Sequence, residues 1–112
     1  MSVAREVRLW VAQRATAVVL ALCVAVHLAT IIYAVRGGLT AAEILERTRG
    51  SVAWAVFYAV FVIAAAVHAS IGLRAVLAEW LGLRGDGVEF VATAFALLLT
   101  ITGLRAVWAV FA

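Results

Sequence analysis

Three long apolar stretches, separated by short polar segments, dominate the hydrophobic pattern of the chain. They cover residues 15–35, 51–73 and 90–112, and the first two contain no Asp, Glu, Lys or Arg. The third contains only Arg105, which lies near enough to its end for the guanidinium to reach a membrane interface. Because about 20 apolar residues cross the hydrocarbon core of a bilayer, each stretch predicts a transmembrane helix.

The predicted fold class is therefore all-α, an integral membrane bundle of three transmembrane helices in one membrane-anchor domain, residues 1–112. The spans are expected at about 12–36, 51–78 and 89–111. A short interfacial helix is expected between the first two spans, at about 41–48.

Turn and capping residues mark the ends of these helices. A glycine pair at positions 37–38 ends the first helix, and Thr40 with Glu43 three residues later has the spacing of a capping box. Asp86 and Glu89 repeat that spacing after a glycine-rich turn, so a second capping-type start is predicted there.

The composition supports a membrane protein and excludes a soluble one. The chain is 68% hydrophobic and 13% charged, whereas soluble domains are about 45–50% apolar and about 25% charged. The net charge of +3 comes from basic residues near the predicted membrane edges. A nucleic-acid partner is not expected, because such binding needs a basic patch on a folded surface.

The distribution of arginine favours a cytoplasmic N-terminus. Arg5, Arg8 and Arg14 precede the first span, and Arg74 and Arg84 lie near the hairpin on the same side. The remaining arginines fall on the other side, so the bias is small. The apolar run after Arg14 is longer than the about 7–15 residues of a secretory signal core, so no cleavage is expected.

His68 is the first candidate for chemistry, because it lies within the charge-free stretch 51–73. Ionisable groups inside a membrane are functional candidates, and neutral imidazole is a common ligand of haem iron. Ala64 and Gly72 lie one turn to either side and leave room for a flat macrocycle. The alternative is a packing seam in which His68 hydrogen-bonds to a neighbouring helix.

His27 is the second intramembrane histidine. If Arg14 and Trp80 mark the same interface, His27 is about 20 Å and His68 about 18 Å inside it, at similar depth. Holding one haem between them is awkward, because bis-histidine ligation separates two helices farther than the 8–10 Å of packed neighbours. The preferred interpretation of His27 is a polar contact inside the bundle.

Four polar or aromatic residues cluster at the predicted cytoplasmic edge: Arg14, Arg74, Glu79 and Trp80. Each alone is explained by interface anchoring through arginine and tryptophan. As a group they also suit a quinone head or haem propionates, since guanidinium pairs with carboxylate and an indole N–H can donate to a carbonyl.

Two segments resemble the membrane-anchor subunit of succinate dehydrogenase (complex II), also described as its cytochrome b subunit. The first is Arg14-Ala-Thr-Ala at the start of the first span, and the second runs from His68 through Gly72 to Glu79 and Trp80. The family has a similar R-A-T-A run and an H-A-x-I-G segment that leads to V-L-x-D-Y at the same spacing. The three-span plan and the chain length also match, so the resemblance covers essentially the whole chain.

The resemblance implies residue roles. His68 would be the axial ligand to the iron of haem b, with the second ligand from another subunit, and Arg14 would lie near the propionates. Glu79 and Trp80 would belong to a site for ubiquinone or menaquinone, with Arg74 at the same edge.

The resemblance also implies partners and a location. The chain would be a non-catalytic electron-transfer and anchor subunit of succinate dehydrogenase or fumarate reductase, linked to the tricarboxylic acid cycle. Its partners would be a second membrane anchor or cytochrome b subunit, an iron–sulfur subunit, a flavoprotein subunit and membrane lipid. Its location would be the bacterial inner membrane.

The sequence departs from the family pattern at three positions. Trp80 replaces a tyrosine, and Glu79 replaces an aspartate. His27 has no counterpart as a ligand in the two-anchor, single-haem complexes, although related single-anchor complexes with two haems use a histidine on the first span. Two other interpretations are a small cofactor-free transporter or channel subunit, and a haem-free anchor that only recruits soluble subunits.

Overall fold

A computed structural model describes residues 2–112, which form four α-helices and no strand. The helices are α1 (Val3–Gly37), α2 (Ala41–Thr48), α3 (Val52–Leu81) and α4 (Asp86–Phe111). Helices α1, α3 and α4 are long and apolar enough to cross a membrane. The all-α bundle of three spans that the hydrophobic pattern predicts is confirmed.

Helix α3 is the central element and packs against both α1 and α4. Thr16 on α1 contacts His68, and His27 further along α1 contacts Tyr58, so α1 and α3 are antiparallel. The bundle measures 49 × 24 × 22 Å, so its long axis can extend beyond a hydrocarbon core of about 30 Å.

The helices pack through small residues. Among residues 2–112, no large apolar side chain is fully buried. A Cβ added at Gly103 on α4 would overlap the side chain of Val62 on α3, so these two helices approach closely there. Small residues permit such approach in lipid, where the large apolar side chains face outward. The buried residues are Cys23, Ala34, Ala64, Ala66 and Ala92.

The start of α2 carries the predicted capping box. Thr40 Oγ1 accepts from the Glu43 backbone N–H at 3.2 Å, and Glu43 Oε2 accepts from the Thr40 backbone N–H at 3.0 Å. The hydrogen bond from the Thr40 hydroxyl lowers the pKa of the Glu43 carboxyl below its ordinary value. Gly38 precedes this cap at φ +138°, and a Cβ there would collide with the Glu43 carboxylate.

The start of α4 differs from the prediction. Gly85 is its N-cap, and no side chain caps the helix. Glu89 instead binds the guanidinium groups of Arg74 and Arg5, on α3 and α1. The predicted second capping-type start is wrong, because two cations hold the carboxylate that would have reached back to the backbone.

The last residue of α2 and the loop after it bind the C-terminal end of α4. Gly50 N–H donates to the Phe111 carbonyl at 2.8 Å, and the Thr48 hydroxyl donates to the Val110 carbonyl at 2.8 Å. The last carbonyls of a helix have no partner within the helix. The α2 segment therefore satisfies two of them and ties the loop between α1 and α3 to α4.

Candidate functional site

His68 is half-buried on the face of α3 that meets α1, where its Nδ1 lies 3.2 Å from Thr16 Oγ1. This is the contact with a neighbouring helix that the packing-seam alternative expects, and it is equally compatible with an iron ligand. The Thr16 hydroxyl has a single hydrogen, and it donates to the Ala12 carbonyl at 2.8 Å. Its oxygen can then accept a hydrogen bond from Nδ1–H of His68. This tautomer leaves the lone pair of His68 Nε2 available to a metal ion.

Gln13 lies one turn before Thr16 and occupies the space beside Gly72. A Cβ placed on Gly72 would be 3.6 Å from Gln13 Nε2. Gln13 Oε1 is buried without a hydrogen-bond partner. Gln13 therefore limits, on the α1 side, the space that we predict for a macrocycle beside Gly72. The prediction missed Gln13, although its place one turn before Thr16 on a polar face of α1 was visible in the sequence.

Arg14 lies close to the level of His68, because it is two residues from Thr16 on α1. Its side chain is exposed, and its guanidinium carbon is 5.2 Å from the centroid of the Trp10 ring. Such stacking leaves the N–H groups of a guanidinium free to pair with carboxylates. A cation is therefore available at the outer edge of the His68 site.

His27 makes the polar contact inside the bundle that was the preferred interpretation. Its Nδ1 lies 3.2 Å from the hydroxyl oxygen of Tyr58. Its ring also meets the rings of Tyr58 and Phe61 edge-on, at centroid distances of 5.8 and 5.7 Å. The side chain is thus oriented by α3.

The two histidines do not lie at similar depth. Residues 16 and 27 of α1 face residues 68 and 58 of α3, so the imidazoles are about 15 Å apart along the helix axes. The equal-depth prediction is wrong, because α3 continues past the level of Arg14 and Trp80 does not mark that level. One iron cannot bind both side chains.

The predicted quinone residues divide into two groups at the same end of α3. Glu79 and Trp80 lie on its last turns with exposed side chains, and Trp80 is 81% exposed. Arg74 faces α4 instead, and its Nε donates to Glu89 Oε1 at 3.0 Å. Arg5 Nη2 lies 2.7 Å from the other carboxylate oxygen of Glu89. Arg74 is therefore part of an ion cluster that joins all three spans.

No group of three His, Cys, Asp or Glu side chains within residues 2–112 is arranged to hold a metal ion. The Nε2 atom of His68 is a single donor, so this chain can contribute one ligand at that place. An iron with two axial ligands would need the other from a second chain.

The chain matches one protein family over most of its length. The family is described as "Succinate dehydrogenase/Fumarate reductase transmembrane subunit", and the match covers residues 2–104. No curated protein and no solved structure matches the chain. With three apolar spans in one bundle and a family match from the start of α1 into α4, the chain belongs to the transmembrane subunits of succinate dehydrogenase and fumarate reductase.

Proposed function

We propose that this subunit binds haem b through His68 Nε2 and contributes to a quinone site, so that electrons pass to quinone at the membrane edge. The observation that carries the proposal is the contact between His68 Nδ1 and Thr16 Oγ1. Metal-bound histidines almost always donate their other ring N–H to a neighbouring acceptor, which fixes the tautomer and the ring orientation.

The residues beside His68 on α3 are small. Ala65 and Ala69 are partly exposed, whereas Ala64, one turn away, is already covered by the chain and is 7% exposed. A bound haem would supply one-electron redox chemistry. In this chain, Thr16 orients the imidazole and small residues of α3 lie beside it. Arg14 lies where its guanidinium could pair with the haem propionates.

The quinone part of the proposal uses Glu79, Trp80 and Arg74 at the end of α3. Trp80 is 12 residues beyond His68, so a quinone held there would be about 18 Å nearer the aqueous phase than the haem. The exposed indole N–H is a donor for a quinone carbonyl, and the Glu79 carboxylate is a proton acceptor beside it. Arg74 would keep this end of α3 fixed to α4 through Glu89.

The single ligand that this chain provides calls for a second membrane chain, and the family to which the chain belongs suggests the soluble partners. A second membrane anchor or cytochrome b subunit would give the other axial ligand, and an iron–sulfur subunit and a flavoprotein subunit would dock at the N-terminal end. Catalysis of succinate oxidation or fumarate reduction would belong to the flavoprotein. We place the complex in a bacterial inner membrane, with the N-terminus of this chain in the cytoplasm.

The test compares two histidine variants of the assembled complex. His68→Ala should remove the low-spin haem absorbance, because it deletes an iron ligand. His27→Ala is the matched control and should keep that absorbance, because His27 lies about 15 Å away along the bundle. The second-cofactor role of His27 that the resemblance implies stays a prediction, and a partial loss of absorbance in His27→Ala with the His68 haem retained would support it. An unchanged haem spectrum in His68→Ala would refute the assignment.

A further inference from the structure

A cavity of about 470 Å³ lies at the opposite end of the bundle from the His68 site, between α1, α2 and α3. Its volume is within the about 300–1,000 Å³ of small-molecule sites. The hydrogen-bonded pair of His27 and Tyr58 lines the inner end of the cavity, and Arg47 on α2 lines its outer end. The proposed haem and quinone sites use none of these residues.

The cavity is elongated along the bundle. On α1 its wall includes His27, Thr30 and Ala34, which are successive turns and span about 10 Å. On α3 the facing wall is made by Trp54 and Tyr58, again one turn apart. A groove parallel to a membrane-spanning helix also runs parallel to the acyl chains of the bilayer.

The polar groups of the cavity are separated by depth. His27 and Tyr58 bond to each other at the inner end, so their contact is satisfied within the chain. Apolar side chains such as Ile44 and Leu39 line the outer part. The occupant therefore meets a mostly hydrocarbon wall below Arg47.

Arg47 is held at the outer end by two contacts. Its Nη2 donates to the Gly38 carbonyl at 3.1 Å, and its guanidinium carbon is 5.6 Å from the centroid of the Tyr33 ring. An arginine carries five N–H donors. Glu43, one turn earlier on α2, has its pKa lowered first by its hydrogen bonds to Thr40 and also by the nearby Arg47 charge, but it does not line the cavity. Most of the Arg47 donors are thus available to an anion at the membrane surface.

We propose that this cavity binds one anionic phospholipid, with an acyl chain between α1 and α3 and the phosphate on Arg47. Arginine pairs bidentately with phosphate, and a phospholipid joins that anion to acyl chains that fit the apolar wall below Arg47. A neutral quinone head could accept a hydrogen bond from Arg47, but it would not form the bidentate ion pair that a phosphate forms. The proposal does not depend on haem binding, because the two sites lie at opposite ends of the bundle.

The test counts bound lipid on the assembled complex by native mass spectrometry, after reconstitution in phosphatidylcholine nanodiscs with a minor fraction of phosphatidylglycerol. Arg47→Gln should reduce the retained phosphatidylglycerol about tenfold, since a charged hydrogen bond is lost. Arg49→Gln is the matched control, because Arg49 is two residues away and does not line the cavity. It should retain the lipid as the unaltered complex does.

A second variant fills the cavity without changing charge. Ala34→Leu should displace the phosphatidylglycerol while Arg47 stays in place, because Ala34 forms part of the wall. An unchanged mass of the assembled subunits in the same spectra shows that the complex is intact. Equal phosphatidylglycerol retention by Arg47→Gln and Arg49→Gln overturns the proposal, as does displacement of a quinone or a haem in place of phosphatidylglycerol by Ala34→Leu.

Discussion

The hydroxyl of Thr16 is the polar partner of His68 on α1. It donates its own hydrogen to the Ala12 carbonyl at 2.8 Å, and its oxygen lies 3.2 Å from His68 Nδ1. With Nδ1–H of His68 donating to that oxygen, Nε2 is the nitrogen that the proposed haem iron would use. A threonine that looks unremarkable in an apolar helix thus belongs to the proposed haem site.

We predict that Thr16→Val weakens haem retention about 10–100-fold, because outer hydrogen-bond partners of metal ligands contribute that much to affinity. Haem content per complex after graded detergent washing measures the effect. Thr100→Val is the control, since the Thr100 hydroxyl bonds only to the Ala96 carbonyl on its own helix. Equal haem loss in the two variants would contradict the role of Thr16.

His68 could be predicted from the sequence, whereas its partners could not. A histidine in a charge-free stretch of transmembrane length is visible without a structure. The contact with Thr16, and the place of Gln13 beside Gly72, depend on the register of α1 against α3. That register is set by packing between helices, and interface markers such as Trp80 are a poor guide to it.

At the scale of helices, α3 and α4 approach closely at Gly103, a residue without a side chain. A Cβ at Gly103 would overlap Val62, so no larger residue fits there unless the helices move apart. Close approach is a principal source of helix association in lipid, where burial of apolar surface contributes little.

Gly103→Leu should destabilise the subunit by about 1–3 kcal/mol, the usual cost of overpacking. The expected observation is a lower midpoint temperature of thermal unfolding for the purified complex. Gly87→Leu is the matched control on the same helix, because a side chain there meets open space. If both variants unfold at the same temperature, the close contact does not stabilise the bundle.

The capping box of α2 gives a pH dependence with a definite sign. The Thr40 hydroxyl bond holds the Glu43 pKa below its ordinary value. A depressed carboxyl pKa means that the stabilisation is present at neutral pH and is lost as the pH falls through the lowered pKa. The protection of backbone amides in residues 40–48 against hydrogen exchange, taken relative to the intrinsic exchange rate at each pH, should therefore fall in acid.

The variant Glu43→Gln removes that charge and should flatten the acid response of hydrogen exchange at 40–48. Glu46→Gln changes a carboxyl on the same helix outside the capping box, so it should keep the acid response. A response that survives in Glu43→Gln would show that another group controls the start of α2.

At the scale of the whole molecule, Glu89 joins the three spans at the N-terminal end. It binds Arg5 on α1 and Arg74 on α3, whose side chains are 45% and 15% exposed. At the other end, Thr48 and Gly50 bind the last carbonyls of α4. Polar contacts therefore join the helices at both ends of the bundle, and small residues allow the helices to pack closely between those two ends.

We expect Glu89→Gln to cost about 1–2 kcal/mol, mostly through Arg74, because solvent screens the more exposed Arg5 pair. Thermal unfolding of the complex at low and high salt measures it. Asp86→Asn neutralises an acid at the same end of α4 and should have a smaller effect. If both variants lose the same amount of thermal stability, and lose it equally at low and high salt, the three-helix ion cluster is not the cause.

The number and placement of the spans could be predicted from composition and hydrophobic pattern, because lipid requires long apolar helices. The role of Glu89 could not, since its spacing from Asp86 matched a helix cap and its true partners lie on two other helices. The cavity near Arg47 also depends on how α2 folds over α1 and α3, which no local pattern specifies.

The most direct measurement is a well-resolved cryo-electron microscopy map of the complete membrane complex. We expect a porphyrin beside α3 of this subunit, with its iron bonded to His68 Nε2 and to a ligand from a second chain. A map with no porphyrin at His68, or with the iron bonded to His27 instead, would refute haem ligation by His68.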